Sequence, residues 1–153
     1  MRYKIPVSVL VVVHTPALRV LLLERADRPG FWQSVTGSQD EGETLEQTAV
    51  REIREETGLD AARYRLLDWN QRNRYEIYQR WRHRYAPGVT HNIEHVFGLQ
   101  LPAPLAVRLA PQEHLHYEWL SWREAADKVF SWSNAEAIRE LPQRLAADAG
   151  REH

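Results

Sequence analysis

The stretch Gly37-Ser38-Gln39-Asp40-Glu41-Gly42-Glu43-Thr44-Leu45-Glu46-Gln47-Thr48-Ala49-Val50-Arg51-Glu52-Ile53-Arg54-Glu55-Glu56-Thr57-Gly58-Leu59 decides how this chain is built. Leu45, Ala49 and Ile53 recur at four-residue spacing and draw one apolar stripe along a helix. Thr44 and Gln47 form a capping-box pattern at its start. Gly58 followed by Leu59 stops it. The spacing predicts a helix over 44–57. Glu52 and Glu56 are four apart and stack on one face, with Glu55 at its border. These carboxylates crowd the C-terminal turns, the negative end of the helix dipole. Like charges at that spacing cost roughly 0.2–0.5 kcal/mol. Arg51 and Arg54 offset part of this. A divalent cation would offset more, because Mg²⁺ prefers carboxylate oxygens shared with phosphates and water. Taken alone, the helix reads more simply as a solvated acidic face.

Working outward, residues 5–13 are rich in β-branched side chains and bounded by Pro6 and Pro16, so they read as a strand. A second strand follows over 18–24, joined through His14-Thr15-Pro16-Ala17 as a hairpin. Asp27-Arg28-Pro29-Gly30 is turn chemistry, and 31–36 is a short strand ending at Gly37. Beyond the helix, 64–69 and 74–81 are aromatic and aliphatic enough for two strands. Further strands are expected over 93–101 and 115–122. Helices are expected over 122–130 and 134–145, the latter interrupted by Pro142. Seven strands and three helices in mixed order make a layered α+β domain over 1–149, with 150–153 a frayed tail.

At 153 residues the chain fits one domain. Lys plus Arg is 20 against 21 Asp plus Glu, a balance that argues against a protein coating nucleic acid. There is no cysteine, which removes disulfides and thiol nucleophiles. No apolar run approaches the length of a membrane helix. Arg2 and Lys4 faintly suggest a signal peptide, but Pro6 and Ser8 interrupt the run and no small-residue cleavage site follows. A cytoplasmic protein without a membrane or a stable nucleic-acid partner is expected. The basic, aromatic run Arg80-Trp81-Arg82-His83-Arg84 alone suggests single-stranded nucleic acid; a local triphosphate or a subunit contact explains it as well. His114 and His116 share a strand face but lack a third ligand for zinc. The oligomeric state is not legible.

The whole of 37–59 matches G-x5-E-x7-R-E-U-x-E-E-x-G-U at every fixed position, U being a bulky aliphatic residue. A chance match is on the order of 10⁻⁸ per chain. The pattern resembles the signature of the Nudix hydrolases. The resemblance implies an α/β/α sandwich with a mixed sheet between helices. It implies hydrolysis of a nucleoside diphosphate linked to another moiety, with Mg²⁺ or Mn²⁺. It makes Glu52 and Glu56 metal ligands and Glu55 a further ligand or the base. The Gly37 carbonyl would face a metal, Glu43 would hold the loop or lie near the metals, and Arg51 would orient a glutamate. Glu113, before the last strand, would complete the metal site or act as base; as an isolated glutamate it reads as a surface residue.

Three less stringent segments narrow the resemblance: 31–38, 82–89 and Ser131-Trp132-Ser133-Asn134. They are similar to the branch that acts on dihydroneopterin triphosphate, in folate synthesis, and on dATP. That implies attack of water between the α- and β-phosphates, releasing pyrophosphate. Lys4 and Arg25 would hold the polyphosphate, or be solvated strand ends. The Thr36 hydroxyl would bond substrate, unless Thr36 is there for its β-propensity. Tyr75 and Ile77 face one way along their strand, and Glu76 and Tyr78 the other; one side would line a base pocket, and an aromatic cross-strand pair is the alternative. Ser131 is a further substrate contact or a plain helix cap. Trp32 and Trp132 would stack on a bicyclic ring or belong to the core. Alternatives of other kinds are a nucleotide-pool pyrophosphohydrolase, an RNA 5′-end pyrophosphohydrolase, and a catalytically silent module that binds a nucleotide or RNA end.

Overall fold

A computed structural model describes residues 2–151. Its first strand, β1 (Val7–His14), is buried from Ser8 onward. Alternation sends its side chains into two cores, as expected for a strand covered on both faces. Val9, Val11 and Val13 enter one cluster; Leu10 and Val12 enter the other. β2 (Arg19–Arg25) divides the same way, with Leu21 and Leu23 in the first cluster and Val20 and Leu22 in the second. The acidic helix, α1 (Leu45–Thr57), covers the first core with Ala49 and Ile53. α2 (Trp122–Lys128), α3 (Trp132–Arg139) and α4 (Leu141–Arg151) lie on the second through Ala125, Ala137, Ile138 and Leu141. The α/β/α sandwich expected from the resemblance is therefore present.

The sheet forks. β1 meets β2 at His14↔Val20, beside their connecting turn. Over Ser8–Val11 the same edge of β1 pairs instead with β4 (Val35–Ser38), antiparallel. β2 diverges to pair with β3 (Trp32–Gln33) and β7 (His114–Ser121). On its other edge β1 runs parallel to β6 (His91–Gln100), which pairs antiparallel with β5 (Arg65–Glu76). The chain crosses the fork at Ser34, whose N–H donates to Asn134 Oδ1 at 2.9 Å.

The strand total of seven holds through two compensating differences. The strand expected over 31–36 is split by the crossing at Ser34 into β3 and β4. The two expected over 64–69 and 74–81 are one strand, β5, with a bulge between Asp68 and Gln71. Asn70 takes φ 55° there, and its N–H donates to Asp68 Oδ1 at 2.8 Å. A short polar side chain tolerates that left-handed backbone. Beyond Glu76 the expected strand gives way to a 3-10 turn, Gln79–Arg84. Tyr78, Trp81 and Phe130 gather there with ring centroids 5.3–6.1 Å apart, so tertiary packing overrides aromatic β-propensity. The last helix is two, α3 and α4. Pro142 sits in the first turn of α4, where no intrahelical N–H is needed. α4 takes in Gly150 and Arg151; the rest of the tail expected over 150–153 lies outside the described residues.

Candidate active site

α1 forms where the capping box predicts it. Gln47 N–H donates to Thr44 Oγ1 at 3.1 Å, and Thr44 N–H to Gln47 Oε1 at 2.9 Å. Gly58 closes the helix at φ 74°, its N–H donating to Arg54 O at 2.9 Å. Ala49 and Ile53 in the core set the helix rotation, and that rotation buries Glu52 and Glu56 at 8% and 2% exposure. Gly37 in β4 explains how Glu52 fits. A Cβ built on Gly37 would lie 2.1 Å from Glu52 Cδ and 2.2 Å from Oε1. No side chain is compatible with that approach.

Glu52 and Glu56 hydrogen-bond one another. Two carboxylates this close cannot both ionise freely. Burial raises the pKa of Glu52. Burial first, and then Glu52, hold Glu56 well above the carboxylate range. Thr36 N–H approaches Glu56 Oε1 at 3.5 Å, while Glu56 Oε2 is buried without a partner. Such a pair is stabilised by a proton or a cation, so the donor set fits a hard divalent ion. Among the described residues no three acidic or histidine groups already converge as a cage. Glu55 is half exposed and turned toward Arg51. Glu113 sits on the exposed turn before β7, its backbone held by Ala26 and Ala110, and its charge is felt at Glu56. His114 Nε2 lies 3.6 Å from Glu56 Oε1, but burial lowers its pKa to about 4 and keeps it neutral.

Arg51 orders the acidic loop. It donates to Glu43 at 2.7 and 3.0 Å, to Glu52 at 2.7 Å, to Glu55 at 3.3 Å and to Ser38 O at 2.9 Å. Those bonds hold the Glu43 carboxyl down at about 2. Glu43 in turn accepts from Asp40 N–H and the Thr48 hydroxyl, both internal contacts that hold the loop.

The remaining expected residues line one cleft of about 950 Å³ with the carboxylates. Lys4 is on its rim, bridged to Tyr85. Arg25 is less free than expected for a phosphate ligand. It makes two 2.8 Å bonds to Asp27, a 3.0 Å bond to Gln33, and lies 4.4 Å over the Trp81 ring. The Thr36 hydroxyl donates to Val9 O at 2.8 Å, which commits its proton to the sheet. Tyr75 accepts from Asn92 Nδ2 at 3.0 Å; Ile77 is buried; Tyr78 is exposed; Glu76 pairs with Arg82 at 2.6 Å. All four line the cleft; Ile77 and Tyr78 lie beyond the end of β5 at Glu76, where strand alternation no longer applies. Ser131 is the α3 cap, accepting from Asn134 N–H at 3.2 Å, and also lines the cleft. Trp132 is 58% exposed at the cleft, whereas Trp32 is core, with Lys128 Nζ 4.2 Å from its ring centre.

Sequence reasoning missed a polar wall in the same cleft. Ser8, Asn92, Glu94, Ser133 and Asn134 line it and are all buried. The available signal was in His91-Asn92-Ile93-Glu94-His95-Val96. There Asn92 and Glu94 alternate in phase with buried Val96, while Ile93 points outward.

A parallel β1–β6 pair, a forked sheet and a glutamate-rich helix under a glycine define a hydrolase of the Nudix type. The chain matches the NUDIX domain over residues 4–141, and it belongs to the Nudix family. It is 48% identical over 142 residues to the dihydroneopterin triphosphate diphosphatase of Escherichia coli, covering 91% of this chain and 93% of that one. It is 42% identical to the Haemophilus influenzae enzyme of the same name, covering 91% and 89%. The solved E. coli dihydroneopterin triphosphate pyrophosphohydrolase superposes with a TM-score of 0.86, over 92% of this chain and 97% of that one. A Caenorhabditis elegans Ap4A hydrolase complex, at 20% identity and a TM-score of 0.73 over 92% and 98%, shares the fold. Members of the family generally use divalent metal ions. No helix among the described residues is long and apolar enough to cross a membrane.

Proposed function

We propose that this chain hydrolyses dihydroneopterin triphosphate between its α- and β-phosphates, giving dihydroneopterin monophosphate and pyrophosphate. It would serve folate synthesis in the cytoplasm and turn over dATP as a lesser substrate. Residues 1–149 act as the single domain. The observation that carries the reading is the buried Glu52–Glu56 pair beside Gly37, lining one cleft together with buried polar side chains and with Tyr78, Trp81 and Trp132. The 48% identity to a diphosphatase of that name supports the substrate.

Glu52, Glu56 and the Gly37 carbonyl would hold Mg²⁺, or Mn²⁺, with Glu55 and Glu113 as further ligands. When bound, such ions neutralise phosphate charge and lower the pKa of the attacking water. Arg51 fixes the Glu52 carboxylate through its 2.7 Å bond. Glu55 or Glu113, both exposed beside the buried pair, would take the proton from water as the base. Lys4 and Arg25 place positive charge along the cleft for the polyphosphate. Tyr75, Glu76, Ile77, Tyr78 and Ser131 flank the heterocycle, and Thr36 shapes the strand beside the reacting phosphates.

Steady-state rates with dihydroneopterin triphosphate and dATP, with and without Mg²⁺, test this. The expected result is a higher kcat/KM for the pterin and loss of both activities in chelator. A clear preference for dATP would move the enzyme to the nucleotide pool. Nucleotide binding without turnover would make it a silent module.

A further inference from the structure

The guanidinium of Arg25 is already committed within the protein. Its Nε and Nη2 donate to Asp27, its Nη1 donates to Gln33, and Trp81 covers one face. Arg84 lines the same cleft and is not so committed. Among the described residues its guanidinium makes one contact, from Nη2 to Asp27 Oδ2 at 3.3 Å, which leaves Nε and Nη1 without a partner. Its backbone is nevertheless fixed. Arg84 ends the 3-10 turn Gln79–Arg84, in which Arg82 is tied to Ile77 O at 3.0 Å and to Glu76 at 2.6 Å. Lys4 N–H donates to Arg84 O at 2.8 Å, and Lys4 forms a parallel bridge with Tyr85. Lys4 and Arg84 are thus carried on adjoining backbone segments. Burial first, and the charge of Arg84 next, lower the Lys4 pKa, while Glu52 acts the other way. Asp27 Oδ2 accepts from Arg25 at 2.8 Å as well as from Arg84, so one carboxylate serves both guanidinium groups, with Lys4 close by. Cations gathered in excess around one carboxylate repel one another until an anion joins them.

Resting on the reading that the substrate is a triphosphate cut between its α- and β-phosphates, we propose that Arg84 is a further substrate-binding residue that holds the β- and γ-phosphates, its Nε and Nη1 donating to their oxygens. A guanidinium presents parallel N–H groups that match phosphate oxygens in pairs. The terminal phosphates carry most of the charge of a triphosphate, so they are what an excess of cations favours. Asp27 keeps Nη2 and fixes the plane of the Arg84 guanidinium. The two 2.8 Å bonds from Arg25 hold Asp27 in place for that task. Within the basic run 80–84, Arg82 is tied to its own turn, whereas Arg84 faces the cleft. The β- and γ-phosphates depart as pyrophosphate, so Arg84 holds the leaving group and not the phosphorus that water attacks.

Calorimetric titration of pyrophosphate, with Mg²⁺, into wild type, Arg84→Ala and Arg84→Lys tests this without turnover. The Kd for pyrophosphate should rise about 10- to 100-fold in Arg84→Ala, the range for charge-assisted bonds. Arg84→Lys should lose less, since it keeps the charge but not the fork. Affinity for dAMP, which carries only the α-phosphate, should stay within about twofold, because no bond to it is lost. Unchanged pyrophosphate affinity in Arg84→Ala would overturn the proposal. An equal loss for dAMP would also overturn it, as the effect would then belong to the whole cleft. Arg84→Ala removes one partly exposed ion pair and leaves both Arg25–Asp27 bonds, so its melting temperature should match the wild type. In turnover of dATP the loss should appear in KM, because the terminal phosphates are held alike before and during the reaction. A fall in kcat with KM unchanged would make Arg84 a support of the acidic site and overturn the assignment. If the binding pattern holds but ³¹P analysis shows orthophosphate as the product, Arg84 keeps its role and the α–β cleavage reading fails.

Discussion

Gly37 is glycine for reasons of space. Its backbone lies in a strand, and what forbids a side chain is Glu52 Cδ at 2.1 Å from a Cβ there. Gly37→Ala must displace the Glu52 carboxylate by an ångström or more, and a misplacement of that size costs about 100-fold in rate. The expected variant folds with near-normal helix content but loses about that factor in kcat/KM; full activity would contradict the packing. Glu52 and Glu56 were legible because the motif carries them at fixed spacing on a helix. The Gly37–Glu52 contact was not, because nothing in a sequence says which helix face a strand will touch. Thr36 shows the converse. Its hydroxyl looked free for substrate, yet β4 sits close enough to β1 for Val9 O to take its proton. Glu94 was passed over because a lone glutamate in a strand ordinarily faces water. Its meaning depends on the cleft that three strands and α3 close around it.

At the scale of elements, β1 is a strand without a solvated face, and this gives its last residue a measurable consequence. His14 is 3% exposed, and burial lowers its pKa from 6.5 to about 4. Above pH 6.5 it is neutral in both folded and unfolded chains. Below that, the unfolded chain binds a proton that the folded chain refuses. His14 therefore removes stability as pH falls from 6.5 toward 4, by about 3 kcal/mol at most. Denaturant melts of wild type and His14→Gln across that range should show a flatter curve for the variant; parallel curves would contradict this account. His114 contributes in the same direction in both proteins, so the difference isolates His14. The element most legible in advance was α1, since Thr44, Gln47 and Gly58 are local signals that act within one turn. β5 was read as two strands because the polar run Asn70-Gln71-Arg72-Asn73 separates its two aromatic and aliphatic stretches; the sheet carries that run through with a bulge.

For the whole molecule, a layered α+β domain followed from the number and order of strands and helices, and the sandwich from the resemblance of the 37–59 motif. The fork in the sheet did not. It depends on β1 exchanging partners along its length, from β4 at Ser8–Val11 to β2 at His14. No local pattern encodes that exchange, yet it brings residues from Lys4 to Ser131 around one cleft. That cleft is lined by Glu52 and Glu56 from α1 and by Asn92 and Glu94 from β6. It is where we place the proposed triphosphate substrate. The most direct measurement is ³¹P analysis of the products formed from dihydroneopterin triphosphate with Mg²⁺ and wild-type enzyme. The account predicts pyrophosphate and dihydroneopterin monophosphate in equal amounts. Orthophosphate released with a pterin diphosphate, or unchanged substrate, would contradict it.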